Sequence, residues 1–148
     1  MRKFLNVIFA ILSALIVFVA CEKEEKDVVK FSLPAGEEYI DRGLSYLFSK
    51  LGTPAMQEDG TVIYSDPNDK NVQYVSFMYD KNEVITSVMY QVLSVHSVSD
   101  IMAYLESMYI YVGVESLQHV YMSSDELRCC VFNELTKTIV IMSADILQ

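Results

Sequence analysis

The chain has 148 residues, with 20 acidic side chains against 11 basic ones, a formal net charge of −9 at pH 7. An acidic surface is repelled by the phosphate backbone, which excludes nucleic acid as a partner. The length is that of one domain with its own hydrophobic core.

Residues 1–20 have the pattern of a secretory signal peptide. Arg2 and Lys3 precede an apolar run from Phe4 to Val19, which ends at the small residue Ala20. The run is about 16 residues long, whereas a helix that spans a bilayer needs about 20. We therefore predict a cleaved signal peptide, and an uncleaved membrane anchor is the alternative.

The end of this segment, Phe18-Val19-Ala20-Cys21, resembles the lipobox of bacterial lipoproteins, although Phe18 stands where Leu is usual. The resemblance implies that the mature protein begins at Cys21 and that this cysteine carries diacylglycerol and a fatty acyl chain such as palmitate. Removing residues 1–20 takes away two basic side chains and shifts the formal charge from −9 to −11. The lipid on Cys21 is then the expected link to the membrane.

Residues 21–33 form a predicted tether, in which residues 22–27 are all charged. An acidic stretch behind the lipidated cysteine resembles the signal that exports some lipoproteins to the cell surface, but an ordinary charged linker fits equally well. We expect a location in the bacterial cell envelope, on the outer membrane, facing either the periplasm or the exterior.

Residues 34–148 are predicted to be a single α+β domain. Pro34-Ala35-Gly36 marks its start, and a helical apolar stripe from Ile40 to Leu51 ends at Gly52. Three segments rich in β-branched and aromatic residues follow, and we predict them as strands at Thr61–Ser65, Gln73–Asp80 and Glu83–Leu93.

The same order then recurs. Ser97 and Asp100 provide a helix N-terminus, and an apolar stripe that includes Val112 predicts a second helix closing at Gly113. Three more strands are predicted at Leu117–Met122, Leu127–Glu134 and Lys137–Ala144. A tandem α-β-β-β repeat predicts a six-stranded antiparallel sheet with both helices packed on one face. The other face would be left available for binding.

Cys129 and Cys130 are adjacent in one predicted strand, so their side chains point to opposite faces. We expect one core thiol and one partly covered thiol. A strained vicinal disulfide or an intermolecular bridge is the alternative.

The residues offer no recognisable catalytic or metal site, and we predict no cofactor. The two histidines, His96 and His119, lack Cys, Asp or Glu partners at a metal-binding spacing. The acidic segment 66–71 lacks the spacing of a calcium loop and is predicted to be a turn.

Ten tyrosines and no tryptophan make tyrosine the distinctive residue of the chain. Tyr104, Tyr109 and Tyr111 lie on or beside the second predicted helix and are a candidate interface, although tyrosines that pack in the core would give the same pattern. The methionines are scattered along the chain, and we predict them as core residues: Met78, Met89, Met102, Met108, Met122 and Met142.

These features favour a non-enzymatic lipoprotein that binds another envelope protein or a peptide through its sheet. The alternative is a lipoprotein that captures an oligosaccharide or a lipid, and a hydrolase is a weaker third hypothesis. The sequence leaves the oligomeric state open.

Overall fold

The computed structural model describes residues 30–147, so the predicted signal peptide, Cys21 and most of the tether lie outside the described residues. Two α-helices are present, α1 at Leu44–Leu51 and α2 at Val98–Met108, with short 3-10 helices at Glu37–Tyr39 and Ala144–Leu147. The strands are β1 (Met56–Glu58), β2 (Thr61–Tyr64), β3 (Val72–Tyr79), β4 (Ile85–Val92), β5 (Ile110–Glu115), β6 (Gln118–Met122), β7 (Arg128–Asn133) and β8 (Thr138–Ser143).

All eight strands form one antiparallel sheet, in the order β1-β2-β3-β4-β8-β7-β6-β5. The prediction of a six-stranded sheet was therefore wrong, although the α+β class fits. Each half of the chain is one helix followed by a four-stranded meander, and the two halves join where β4 pairs with β8. The repeating unit has four strands rather than three.

The first predicted helix is interrupted near its start. Glu37–Tyr39 forms a 3-10 turn, Asp41 has a positive φ of 68°, and α1 begins only at Leu44. A left-handed residue cannot continue a right-handed helix, so Asp41 separates the two segments. Gly52 ends α1 with a φ of 75° and an N–H bond to the Phe48 carbonyl.

The second predicted helix ends five residues early. Ser97 caps α2 by accepting a 3.1 Å hydrogen bond from the Asp100 N–H, but Tyr109 is already extended. The segment Ile110–Glu115, which contains Val112 and Gly113, is strand β5 instead. Its β-branched and aromatic residues favour a strand. Pairing with β6 satisfies the backbone N–H and C=O groups that would bond to each other if the helix continued.

The hydrophobic core lies between one face of the sheet and the helices. It contains Leu47 of α1, Leu105 of α2 and the rings of Phe77, Tyr90 and Phe132, all of them buried. Burying an apolar side chain of this size contributes about 1.5–3 kcal/mol.

The packed region also reaches into the segment predicted as tether. Phe31 is buried, and its ring makes edge contacts with His96 at 5.0 Å and with Tyr104 at 5.3 Å between centroids. Within residues 30–147, neither helix has the length and apolar character needed to cross a membrane.

Candidate functional site

The side of the sheet that faces away from the helices, called here the open face, is the most distinctive surface of the domain. Strand register places two rows of side chains on it, side by side across the sheet. One row runs from Met56 on β1 to Gly113 on β5, and the other from Glu58 on β1 to Ile110 on β5. The members of the first row are Met56, Ile63, Ser76, Met89, Val140, Val131, Val120 and Gly113, and those of the second are Glu58, Thr61, Met78, Ser87, Met142, Cys129, Met122 and Ile110.

Glu58, exposed on the edge strand β1, is the one charged member of the two rows, although the chain as a whole carries a net charge of −9. Most of the apolar members are only partly buried, and Met56 and Ile110 are exposed. None of the apolar members belongs to the core cluster or to the side chains packed against it, whereas the buried residues of both helices all belong to that cluster. Among the described residues, the open face therefore has no covering layer.

Five of the eight methionines of the chain lie on the open face: Met56, Met78, Met89, Met122 and Met142. The prediction that the last four are core residues was wrong, because the register brings them together on the side away from the helices. Methionine is flexible and polarizable and is over-represented on surfaces that adapt to a partner. These five side chains make the open face deformable as well as apolar.

The two adjacent cysteines lie on opposite faces, as their spacing predicts. Cys129 lies on the open face between Met122 and Met142, and Cys130 faces the core. Both are buried and neither forms a disulfide. Burial raises the pKa of both thiols, and the effect is larger for Cys130. A raised pKa keeps both thiols protonated, whereas a nucleophilic cysteine needs a lowered pKa.

A polar cluster on the core side of β5, β6 and β7 was not apparent from the sequence. The buried ring of His119 bonds through Nε2 to the Glu134 carboxylate, and its Nδ1 lies 3.4 Å from the Tyr111 hydroxyl. The ring also stacks on Phe132 at 6.0 Å. His119 and Glu134 are 15 positions apart, so the sequence gives no sign of this pair. The cluster connects the edge strand β5 to β6 and to the end of β7. No group in the described part of the chain has the three or more ligands that a metal ion needs.

The other histidine is also held by the fold. His96 Nε2 lies 2.9 Å from the Lys70 carbonyl, and the Lys137 ammonium donates to the His96 carbonyl. The neighbouring Ser97 hydroxyl donates to the Asp100 carboxylate at 2.6 Å and caps α2. Ser97 therefore serves the helix terminus and not a serine–histidine pair.

The three tyrosines of the candidate interface occupy different environments. Tyr104 packs its edge against Phe31, and Tyr109 donates a 2.5 Å hydrogen bond to Glu37. Tyr111 is 42% exposed and lies against Tyr121. Tyr104 and Tyr109 are partly buried and packed against the core, so Tyr111 offers the most surface of the three.

The hydroxyl groups of Tyr121, which is buried, and Tyr109, which is partly buried, differ in their hydrogen bonding on the core side of the sheet. The Tyr121 hydroxyl has no hydrogen-bond partner among the described residues, and burial, followed by the Glu106 charge, raises its pKa to about 12. For Tyr109, burial and then the hydrogen bond to Glu37 raise the pKa far above its ordinary value.

We expect Tyr121→Phe to leave the free energy of unfolding unchanged or to raise it by about 1 kcal/mol, because it removes an unsatisfied polar group. Tyr109→Phe should lower it by about 1.5–3 kcal/mol, since a bond to a carboxylate is lost. Urea unfolding of both variants measures the difference. Equal losses would contradict the view that the Tyr121 hydroxyl is unpartnered.

The acidic segment between β2 and β3 forms a turn. Asp66 accepts from the Asn68 N–H at 2.9 Å, and Asp69 accepts from the N–H groups of Asn71 and Val72 at 2.7 and 2.9 Å. Their carboxylates are thus used to satisfy the backbone of the turn.

A cleft of about 390 Å³ lies beside this turn. Its lining includes Tyr64, Tyr74, Asp66 and Asp69 from the sheet edge and turn, together with Leu51 at the end of α1. Its volume is near the lower end of the range for small-molecule sites.

Comparison with known proteins adds no functional assignment. No family model matches the sequence, and no curated protein matches it. A solved structure of a DUF4309 family protein (YjgB) from Bacillus subtilis subsp. subtilis str. 168 is similar at 12% identity, over 70% of this chain and 80% of that one. The TM-score is 0.46, which is too low to support an argument about function.

Proposed function

We propose that this protein is a membrane-anchored lipoprotein of the bacterial cell envelope that acts as a non-enzymatic protein-binding module. The lipid on Cys21 would hold it at the outer membrane, and the charged residues 22–27 would space the domain away from the bilayer. The open face would bind the partner.

The observation that carries this proposal is the methionine-rich open face, which has a single charged residue, Glu58, in its two rows. Antiparallel sheets with one solvated face usually alternate apolar and polar residues, with the polar set facing water. Here both faces are largely apolar, and the side away from the helices has no cover among residues 30–147. An apolar surface of this extent on a monomer marks an interaction site.

A photo-crosslinking experiment in intact envelopes tests this proposal. p-Benzoylphenylalanine replaces Val140 at the centre of the open face or, as a matched control, Leu135, which is 81% exposed in the turn between β7 and β8. We expect protein adducts from position 140 and none from position 135. Adducts with lipid or glycan only, or no adduct at position 140, would overturn the proposal.

Capture of an oligosaccharide is the second candidate, and the cleft beside the β2–β3 turn is the observation that favours it. Tyr64 and Tyr74 line the cleft and offer rings for stacking on a sugar, and Asp66 and Asp69 offer acceptors for its hydroxyl groups. Binding on a glycan array that is lost in Tyr74→Ala would support this function instead.

A further inference from the structure

We propose that the open face binds the open face of a second copy of this chain. The two sheets would stack face to face as a symmetric dimer, with the helices of each copy on the outside. This inference rests on the proposed function, because it names the partner that the protein-binding face would take.

The chain's own N-terminal residues are poorly suited to cover the open face. Between Cys21 and the first described residue, positions 22–27 are all charged, and only Val28 and Val29 are apolar. Placing charged side chains on an apolar surface without partners costs several kcal/mol each. The mature chain therefore lacks an apolar segment long enough to span eight strands.

A second copy matches the chemistry of the open face. Sixteen positions in two rows meet an identical set, and Glu58 on the edge strand β1 is the one charged member of each set. Glu58 is exposed, and the other acidic side chains that repel two copies at a distance lie outside both rows, so water and salt screen them. Dimer formation should therefore strengthen as the salt concentration rises.

The size of the open face is sufficient for a dimer. Eight strands about 4.8 Å apart span roughly 34 Å, and three rows of side chains cover roughly 14 Å along the strands. The third row lies next to the first and is mostly polar: Tyr74, Gln91, Thr138, Asn133, Gln118 and Glu115. The face is thus about 500 Å² in each copy, and a stacked pair buries about 1,000 Å². This is about the smallest area that a specific interface between complementary surfaces buries.

Face-to-face stacking of two sheets also accounts for the number of methionines on the open face. Two sheets pack about 10 Å apart, with their strands within about 30° of each other, and side chains of both faces interdigitate. Methionines fill the irregular gaps that two twisted surfaces leave. Since β4 and β8 are the central strands, Val140 lies near the two-fold axis and faces its own counterpart.

A charge-swap experiment tests the dimer in the full chain. Two differently tagged copies are co-expressed, the envelopes are solubilised in a mild detergent, and one tag is captured while the other is quantified. Like charges at an interface cost several kcal/mol. We expect the Val140→Glu pair and the Val140→Lys pair each to lower recovery at least about 10-fold, while the mixed Glu–Lys pair restores most of it. Leu135→Glu in both copies is the control and should behave like the unmodified chain.

The outcomes separate the dimer from the proposed function. Because Val140 is only half-buried on the open face, the variants should keep the circular dichroism spectrum of the unmodified domain. Recovery that is unaffected by the Glu–Glu pair, or not restored by the mixed pair, would overturn the dimer. If the Val140 crosslinks contain a different protein, the dimer is wrong and the binding function stands. If they contain no protein, both are wrong.

Discussion

Replacing Gly36 with Ala is expected to lower the free energy of unfolding by about 3 kcal/mol, at the upper end of the cost of overpacking a core. A Cβ added at Gly36 would lie 2.1 Å from the Tyr90 hydroxyl oxygen, 2.9 Å from its Cζ and 3.1 Å from Val88 Cγ2. Tyr90 is 1% exposed at the centre of the core and cannot move aside without disturbing its neighbours. Thermal or urea unfolding of the variant measures the effect.

Gly43→Ala is the matched control, because its added Cβ would meet no atom closer than 3.8 Å. We expect a change of less than about 0.5 kcal/mol. The double variant Gly36→Ala/Tyr90→Phe should be more stable than Gly36→Ala alone, since it removes the nearest of the three contacts. A Gly36→Ala protein as stable as Gly43→Ala would show that the chain does not approach Tyr90 closely at this point.

Replacing Cys21 with Ala is expected to abolish acyl labelling and membrane association, because the thiol that accepts the diacylglycerol is lost. Two or more acyl chains are needed for stable anchoring, so no partial attachment should remain. Metabolic labelling with a radioactive or alkyne-bearing fatty acid, followed by membrane fractionation, measures both properties.

Cys129→Ala provides the control for Cys21→Ala, since it removes a buried thiol of the sheet and leaves the lipobox-like segment intact. It should retain the acyl label and the membrane fraction. The domain from about residue 31 should fold normally in both variants. Cys21→Ala protein that stays in the membrane fraction without a label would support the uncleaved anchor.

The strands that the sequence predicts are those with buried side chains on at least one face. The six predicted segments all contain strands, with ends within two residues of the expected ones. β1 was missed because its three residues are exposed and show no apolar alternation. β5 was not predicted because Val112 also fits the apolar helical stripe of α2. The pairing with β6 is what makes this segment a strand and not the last turn of the helix.

The open face was anticipated only in outline. A sheet with helices on one side implies a second face, but the composition of that face depends on register. Met89 and Met142 are far apart in the sequence, and the antiparallel pairing of β4 with β8 is what places them in neighbouring rows. The pairing of β6 with β7 brings His119 to Glu134, and no sequence motif indicates this contact.

The most direct test of the account is oxidation of the methionines in intact envelopes, read by mass spectrometry for the unmodified chain and for Val140→Glu. If the open face is covered by a protein, then Met78, Met89, Met122 and Met142 should oxidise several-fold more slowly in the unmodified chain than in the variant. Met108, which is 59% exposed at the end of α2, should oxidise equally in both. Equal oxidation of the four open-face methionines in the two proteins would contradict the claim that this face binds a partner.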